Sequence, residues 1–181
     1  GLSEDELQPL VQAWRDANPF ITQLWWDVDR AAMDAVRYRF KTETHGITFA
    51  YKSGMLFITL PSGRRLAYVK PKIGENQFGG ECITYEGVGS TKKWERLNSY
   101  GPKFVENIVQ AYAADCLRVS MERLDRAGFA ICFHVHDEVV AEAPKGTDWR
   151  EMADIMGQPI DWAPGLLLRA DGYTTDFYMK D

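Results

Sequence analysis

The sequence predicts an α+β fold in which an antiparallel sheet is packed on one side by long helices. Residues 4–17 and 19–40 have apolar side chains at helical spacing, which predicts two helices at the start. From Gly46 the pattern changes to short alternating segments separated by glycine turns, as is typical of antiparallel strands. A long third helix, residues 102–126, then precedes a further strand pair. This order of elements indicates an α+β domain.

The first two helices have clear boundaries. Ser3 and Glu6 resemble a capping box before the first helix. Pro19 fits the first turn of the second helix, because proline lacks only an N–H that has no partner there. Trp25 and Trp26 are interpreted as packing aromatics, with a stacking platform for nucleic-acid bases as the alternative.

Tight turns separate the predicted strands of the middle region. Lys52-Ser53-Gly54 and Pro61-Ser62-Gly63 are both turn signals. Residues 73–80 are predicted to form a loop. The predicted strands are Ile47–Tyr51, Met55–Leu60, Arg64–Val69, Cys82–Tyr85 and Trp94–Leu97.

The third helix has two distinct faces. Gly128 is predicted to end it. The apolar face, which is predicted to be buried, carries Val105, Val109, Tyr112, Cys116 and Val119. A second stripe is spaced four, three, four and four residues apart and therefore shares another face: Lys103, Asn107, Gln110, Ala114 and Arg118. This stripe is either a binding face or an ordinary polar surface.

The C-terminal third begins with a predicted hairpin, Phe129–Val135 and Val139–Ala143, joined at His136-Asp137-Glu138. Both faces of its first strand are largely apolar, which predicts that helices cover it. A helix at Trp149–Met156 and a last strand pair, Leu166–Ala170 with Asp176–Met179, are predicted to follow.

Charge and cysteine content limit the classes of protein. The net charge of −5 argues mildly against nucleic-acid binding. No acidic residue lies between Thr44 and Gly74, however, and the cations there suit phosphate, although a solvated sheet face is the alternative. The cysteines Cys82, Cys116 and Cys132 are interpreted as reduced core thiols of a cytoplasmic protein. No apolar run reaches the roughly 18 residues of a membrane span, so no membrane partner is expected.

The adjacent acids Asp137 and Glu138 at the apex of the hairpin are candidate metal ligands. Mg²⁺ prefers hard oxygen ligands and usually takes one or two protein carboxylates. The two flanking apolar strands would fix the apex and project both acids. An acidic β-turn without a metal is the alternative, because aspartate suits turns.

Four segments, in matching order, resemble the family A DNA polymerases, phage-type in particular. His136-Asp137-Glu138 is similar to motif C of that family, and Gln110-Ala111-Tyr112-Ala113-Ala114-Asp115 to the helix before it. The segment Thr59-Leu60-Pro61-Ser62-Gly63-Arg64-Arg65-Leu66-Ala67-Tyr68 resembles its Gly-Arg-Arg hairpin, and the ending, with Ala163-Pro164-Gly165, its last strand. The resemblance implies the C-terminal part of the palm in a right-hand fold, acting in template-directed DNA synthesis. It also implies one domain, with residues 1–45 as a helical segment after the fingers and residues 46–181 as palm.

The resemblance implies a role for each matching residue. Asp137 would bind catalytic metal, Glu138 would be the adjacent acid, and His136 would lie beside the primer terminus. Gln110 would contact the minor groove of the primer–template duplex, and Arg64 would lie near that duplex. The implied cofactor is Mg²⁺, of which the complete enzyme would bind two ions and this chain alone would bind Mg²⁺ weakly or not at all. The implied substrates are primer–template DNA and dNTP.

Minor-groove acceptors are alike in all base pairs, so donors at Lys103, Asn107 and Arg118 would add sequence-independent contacts. The family often has Arg and Asn where this chain has Pro102 and Glu106, and Lys103 and Asn107 stand one residue out of register. His134 replaces a frequent glutamine.

The sequence contains neither the strand of motif A nor the triphosphate-binding helix of motif B. Because it also begins Gly-Leu-Ser rather than Met, we expect a processed or cut chain whose remaining polymerase segments are partners. Alone it should be inactive and should expose a sheet edge. Two alternatives are a non-catalytic DNA-binding or assembly module of a split polymerase and a small metal-dependent nuclease using His134, His136, Asp137 and Glu138.

Overall fold

A computed structural model describes residues 3–178 of the chain, and the fold is α+β as predicted. The described residues form two units, which are divided between Val109 and Gln110. The four helices are α1 (Glu4–Ala17), α2 (Pro19–Tyr38), α3 (Gly101–Arg126) and α4 (Trp149–Met156). The strands are β1 (Thr42–Thr44), β2 (Ile47–Lys52), β3 (Met55–Thr59), β4 (Arg65–Glu75), β5 (Glu81–Val88), β6 (Trp94–Ser99), β7 (Ala130–Val135) and β8 (Glu138–Glu142).

The first unit is built on a six-stranded antiparallel meander in the order β1 to β6. A two-residue turn joins β2 to β3, where Lys52 pairs with Met55. Both turn residues, Ser53 and Gly54, have positive φ (52° and 78°). Positive φ at both positions gives a turn whose twist matches that of the strands, so the hairpin predicted here is confirmed.

Helix α2 covers this sheet with a row of small side chains. Ala31, Ala32 and Ala35 are buried, and they let the helix axis approach strands that carry the fully buried Phe49 and Ile58. The link between α2 and β1 is a hydrogen bond in which Thr42 Oγ1 donates to the Ala31 carbonyl (2.7 Å). The first unit therefore has the predicted sheet backed by a long helix.

The start of α3 is fixed against α2. A Cβ on Gly101 would lie 2.2 Å from the carbonyl oxygen of Trp25, so only glycine fits at this approach. The Gly101 N–H donates to the carboxylate of Asp29; burial raises the pKa of Asp29, and this hydrogen bond opposes the rise. One turn later the buried Phe104 packs edge-on against Tyr68, with ring centroids 5.1 Å apart.

The second unit has a small core on the later part of α3. Cys116, Ile160 and Ala163 are buried there. Trp162 packs edge-on against Tyr112, with ring centroids 5.1 Å apart.

The end of α3 is held by a side chain and stopped by a glycine. The guanidinium of Arg123 donates to the carbonyls of Gln158 (2.9 Å) and Pro159 (2.7 Å). Gly128 has φ of 90°, which confirms the glycine stop that was predicted for the helix.

Several boundaries in the first unit differ from the prediction. Strand β4 continues to Glu75 through a bulge between Val69 and Lys72, so the predicted loop begins later, at residue 76. The prediction failed because Pro71 reads as a strand breaker, whereas the bulge accommodates it. Strand β1 was missed because it has only three residues.

The buried face of α3 also differs. Val109, which was predicted to be buried, is 55% exposed, whereas Phe104 and Ile108 are buried. Val105 and Cys116 of the predicted apolar face are buried as expected, so the prediction is wrong at Val109, whose neighbour Ile108 takes the buried position.

The C-terminal third departs most from the prediction. Strand β7 is largely exposed, including Phe133 and Cys132. The predicted helix cover and the predicted core position of Cys132 are therefore wrong; among the described residues, β7 pairs with β8 alone. Residues 166–170 and 176–178 form no strand, and Met179 lies outside the described residues. The chain there lacks the ladder hydrogen bonds that define a strand.

Helix α1 begins at Glu4, but the side chains of residues 4–6 are not described, so the capping box stays a prediction. In the described chain, none of the helices combines the length and apolar character that a membrane span requires.

Candidate functional site

The candidate acids lie at the tip of the β7–β8 hairpin, in the second unit. Val135 pairs with Glu138, which leaves His136 and Asp137 as the two turn residues. His136 has φ of 50°, a left-handed conformation that reverses the chain within two residues. The side chains of His136, Asp137 and Glu138 are all exposed. The hairpin therefore presents two adjacent carboxylates and an imidazole to solvent, as the sequence indicated.

The hairpin is braced on one side by the C-terminal segment. The ring of Tyr178 meets Phe133 edge-on, with centroids 5.0 Å apart. A register shift between Ile131 and Phe133 marks a bulge in β7. Such bulges bend a strand and redirect its side chains, so the tip is aimed by local structure.

The donor set at the tip fits a hard cation, but it is small. Asp137 and Glu138 supply carboxylate oxygens, the ligand type that Mg²⁺ prefers. No group of three or more His, Cys, Asp or Glu side chains suited to a metal occurs in the part of the chain that the structure describes. The four-residue chelate of the nuclease alternative is therefore not assembled. Asp137 and Glu138 could hold Mg²⁺ only as part of a larger ligand set.

The predicted polar stripe of α3 is divided between the two units. In the first unit, Lys103 Nζ donates to Glu106 (2.8 Å), and this hydrogen bond raises the pKa of Lys103. Asn107 is half-buried, and its amide donates to the hydroxyl of Tyr68 (2.9 Å). Each of these donors has a partner within the chain.

In the second unit, Gln110 is exposed. Arg118 is also exposed, and its guanidinium lies 3.7 Å from the carboxylate of Asp115, which is completely buried. A buried carboxylate one turn before an exposed arginine restrains the direction of that arginine, because the opposite charge attracts the guanidinium.

Arg64 lies in the turn between β3 and β4, in the first unit. Its carbonyl accepts from the N–H of Leu60 (2.9 Å), and Gly63 N–H donates to the Leu60 carbonyl (2.8 Å). These two bonds close the turn and fix the backbone that carries Arg64.

Sequence reasoning missed two residues of this region. Tyr68 is buried, and its hydroxyl accepts a hydrogen bond from Asn107. The sequence feature that could have indicated this role was the position of Tyr68 at the end of the Gly-Arg-Arg hairpin. Asp115 is buried between apolar neighbours, and an aspartate on the apolar side of a helix was the available signal.

The comparison with known proteins gives one similar sequence. The chain is similar to a DNA polymerase of Bacillus phage SP02. The two sequences are 54% identical over 184 aligned residues, which cover all of this chain and 28% of the phage polymerase. The chain thus spans less than a third of the length of this relative. No family model and no solved structure matches the chain.

Proposed function

We propose that this chain supplies part of a family A DNA polymerase of the phage type, namely the C-terminal portion of the palm. The observation that carries the proposal is the 54% identity, along the whole chain, to a phage DNA polymerase. The exposed Asp137-Glu138 pair at a tight hairpin tip supports it, because nucleotidyl transfer needs carboxylates projected into an open cleft. The reaction is the addition of a nucleotide from dNTP to a primer along a template.

Asp137 and Glu138 are the proposed metal-binding acids. Each would supply carboxylate oxygens to Mg²⁺ together with acids from other polymerase segments, since two-metal sites need a bridging set of ligands. When bound, Mg²⁺ stabilises the charge on the transferring phosphoryl group. His136, exposed at the same turn, would contact the primer terminus.

The donors on α3 are proposed to grip the duplex without reading its sequence. Gln110 would donate to the purine N3 and pyrimidine O2 acceptors of the minor groove, which all base pairs share. An amide has two N–H donors; Asn107 donates one to Tyr68, which orients the second. Lys103 would exchange its exposed ion pair with Glu106, which stabilises the free chain little, for phosphate oxygens. The exposed guanidinium of Arg118 would contact phosphate while it stays beside the buried Asp115. Arg64 would contact the duplex from its turn.

The unpaired edge of β7 is proposed to pair with a strand of the complete polymerase. Among the described residues β7 pairs with β8 alone, and unpaired strand edges take up additional strands readily. The lone chain is proposed to be inactive because its two acids are an incomplete ligand set.

The test is primer extension by a chimera in which this chain replaces the aligned segment of the phage SP02 polymerase. Asp137→Ala is compared with Asp125→Ala, a matched control because Asp125 is an exposed aspartate on α3. We expect the chimera to extend primers, Asp137→Ala to abolish extension and Asp125→Ala to retain it. Extension that tolerates Asp137→Ala would instead support the non-catalytic assembly module, and extension or DNA cleavage by the lone chain would refute the proposed dependence on other segments.

A further inference from the structure

The turn between β5 and β6, in the first unit, combines an exposed indole with lysines. Trp94 and Val88 lie directly opposite each other at the end of the hairpin. They are 60% and 62% exposed. A tryptophan left open at a strand end, rather than packed on the sheet, offers a flat apolar surface to a ligand.

The ring of Trp94 is held in place by a charge network on the same face. Its Nε1 donates to a carboxylate oxygen of Glu86 (3.3 Å). Lys70 also donates to Glu86 (2.8 Å), and Arg96, the cross-strand partner of Glu86, lies 3.3 Å from it. The hydrogen bonds from Lys70 and Trp94 hold the pKa of Glu86 below its ordinary value. Glu86 therefore orients the indole while two cations neutralise its charge.

The turn itself adds two lysines beside the indole. The N–H of Gly89 donates to the Lys93 carbonyl (2.9 Å), and the N–H of Lys92 donates to the Gly89 carbonyl (3.0 Å). Lys92 and Lys93 are exposed, and neither forms an ion pair with any residue that the structure describes. With Lys70 and Arg96, the tip carries four cations against the two acids Glu86 and Glu95.

We propose that this hairpin binds single-stranded DNA, with Trp94 stacking on an unpaired base and Lys92 and Lys93 contacting the flanking phosphates. The inference rests on the proposed function, since a template-directed enzyme must hold an unpaired template. Single-stranded sites combine an aromatic platform with cations that follow the backbone. A duplex hides its base faces in its own stack, so an indole at a hairpin tip matches an unpaired strand better. Because the whole chain has a net charge of −5, the local cations must supply the attraction.

The experiment measures fluorescence anisotropy of a labelled oligothymidylate of about 12 nucleotides, titrated with the 181-residue chain. Trp94→Ala should raise the Kd about 5- to 30-fold, which corresponds to about 1–2 kcal/mol of lost base stacking. Trp94→Phe should stay within about threefold of the unchanged chain, since phenylalanine retains a stacking face. The matched control is Phe20→Ala, because Phe20 is also an exposed aromatic residue, on α2.

The lysines are tested through salt dependence. The double variant Lys92→Ala/Lys93→Ala should reduce the slope of log Kd against log salt by about 1.4, the value for two lost phosphate contacts on a single strand. Lys41→Ala, which changes an exposed lysine just before β1, should leave the slope unchanged. Circular dichroism of each variant separates lost binding from lost folding.

Three results would overturn the inference: equal affinities of Trp94→Ala and Phe20→Ala, no rescue by Trp94→Phe, or equal binding of a duplex of the same length. The outcome is separable from that of the chimera. Extension that depends on Asp137, with oligonucleotide binding that does not depend on Trp94, removes the hairpin site and leaves the proposed function. Oligonucleotide binding that depends on Trp94, together with extension that tolerates Asp137→Ala, supports the hairpin site and removes the proposed catalytic role of Asp137.

Discussion

Replacing Gly101 by alanine should destabilise the first unit, although alanine is the better helix former. The new Cβ would lie 2.2 Å from the backbone oxygen of Trp25, below the 3.0 Å that real Cβ contacts respect. Helices α2 and α3 must separate, and overpacking of this kind costs about 1–3 kcal/mol. The separation also strains the hydrogen bond from Gly101 N–H to Asp29. Alanine returns at most about 1 kcal/mol of helix propensity, which offsets part of this cost, so we expect a net loss of about 1–2 kcal/mol.

Thermal unfolding followed by circular dichroism tests this prediction. For a unit of about 100 residues a loss of about 1–2 kcal/mol lowers Tm by about 5–10 °C. Gly172→Ala is the control, because its nearest atom, a ring carbon of Trp149, is 3.4 Å away, and its effect should stay within about 0.5 kcal/mol. A Gly101→Ala variant as stable as the unchanged chain would refute the close approach of the two helices.

Three further predictions follow from single contacts. Tyr68→Phe removes the hydroxyl that accepts from Asn107 and should lower the free energy of unfolding in urea by about 0.5–1.5 kcal/mol. Adding Asn107→Ala to this variant should lower it little further. Fully additive losses for the two substitutions would contradict the hydrogen bond. Hydrogen bonds from Lys70 and Trp94 lower the pKa of Glu86 from its ordinary value of 4.5. The contribution of its carboxylate to folding stability is therefore present above pH 4.5 and is lost as the pH falls through the lower pKa of the folded state. The emission of Trp94, isolated by difference against Trp94→Phe, should change in that acidic range, and Glu86→Gln should abolish the transition; a transition that survives would disprove the contact. A thiol reagent should modify Cys132 rapidly and the buried thiols, whose pKa values burial raises, only on unfolding: Cys82 and Cys116. Rapid modification of all three would contradict the described cores.

The elements that local sequence determines were predicted well. Helix α4 and the β2–β3 turn follow from periodicity and from Ser53-Gly54, which need no distant partner. The hairpin at residues 136–138 was also placed correctly, because an apolar strand must reverse at the polar triplet. For these segments, local preference and tertiary structure agree.

The errors arise where distant contacts decide. The continuation of β4 past Pro71 depends on pairing with β5 through a bulge, which no local pattern contains. Val109 is exposed although it continues an apolar stripe, because the face of α3 that is buried near its start is the one occupied by Phe104. The bond from Asn107 to Tyr68 joins residues 39 positions apart, so the sequence indicated a polar residue but not its partner.

The central claim is that Asp137 is a metal-binding acid of DNA synthesis. The most direct measurement is the Mg²⁺-dependent primer-extension rate of the chimera that carries this chain within the phage SP02 polymerase, with Asp137→Ala and Asp125→Ala compared at equal concentration of folded protein. We predict that Asp137→Ala lowers the rate by about 100-fold or more, as removal of a main source of transition-state charge stabilisation does, while Asp125→Ala stays within about twofold of the unchanged chimera. Equal rates for the two variants would contradict the claim.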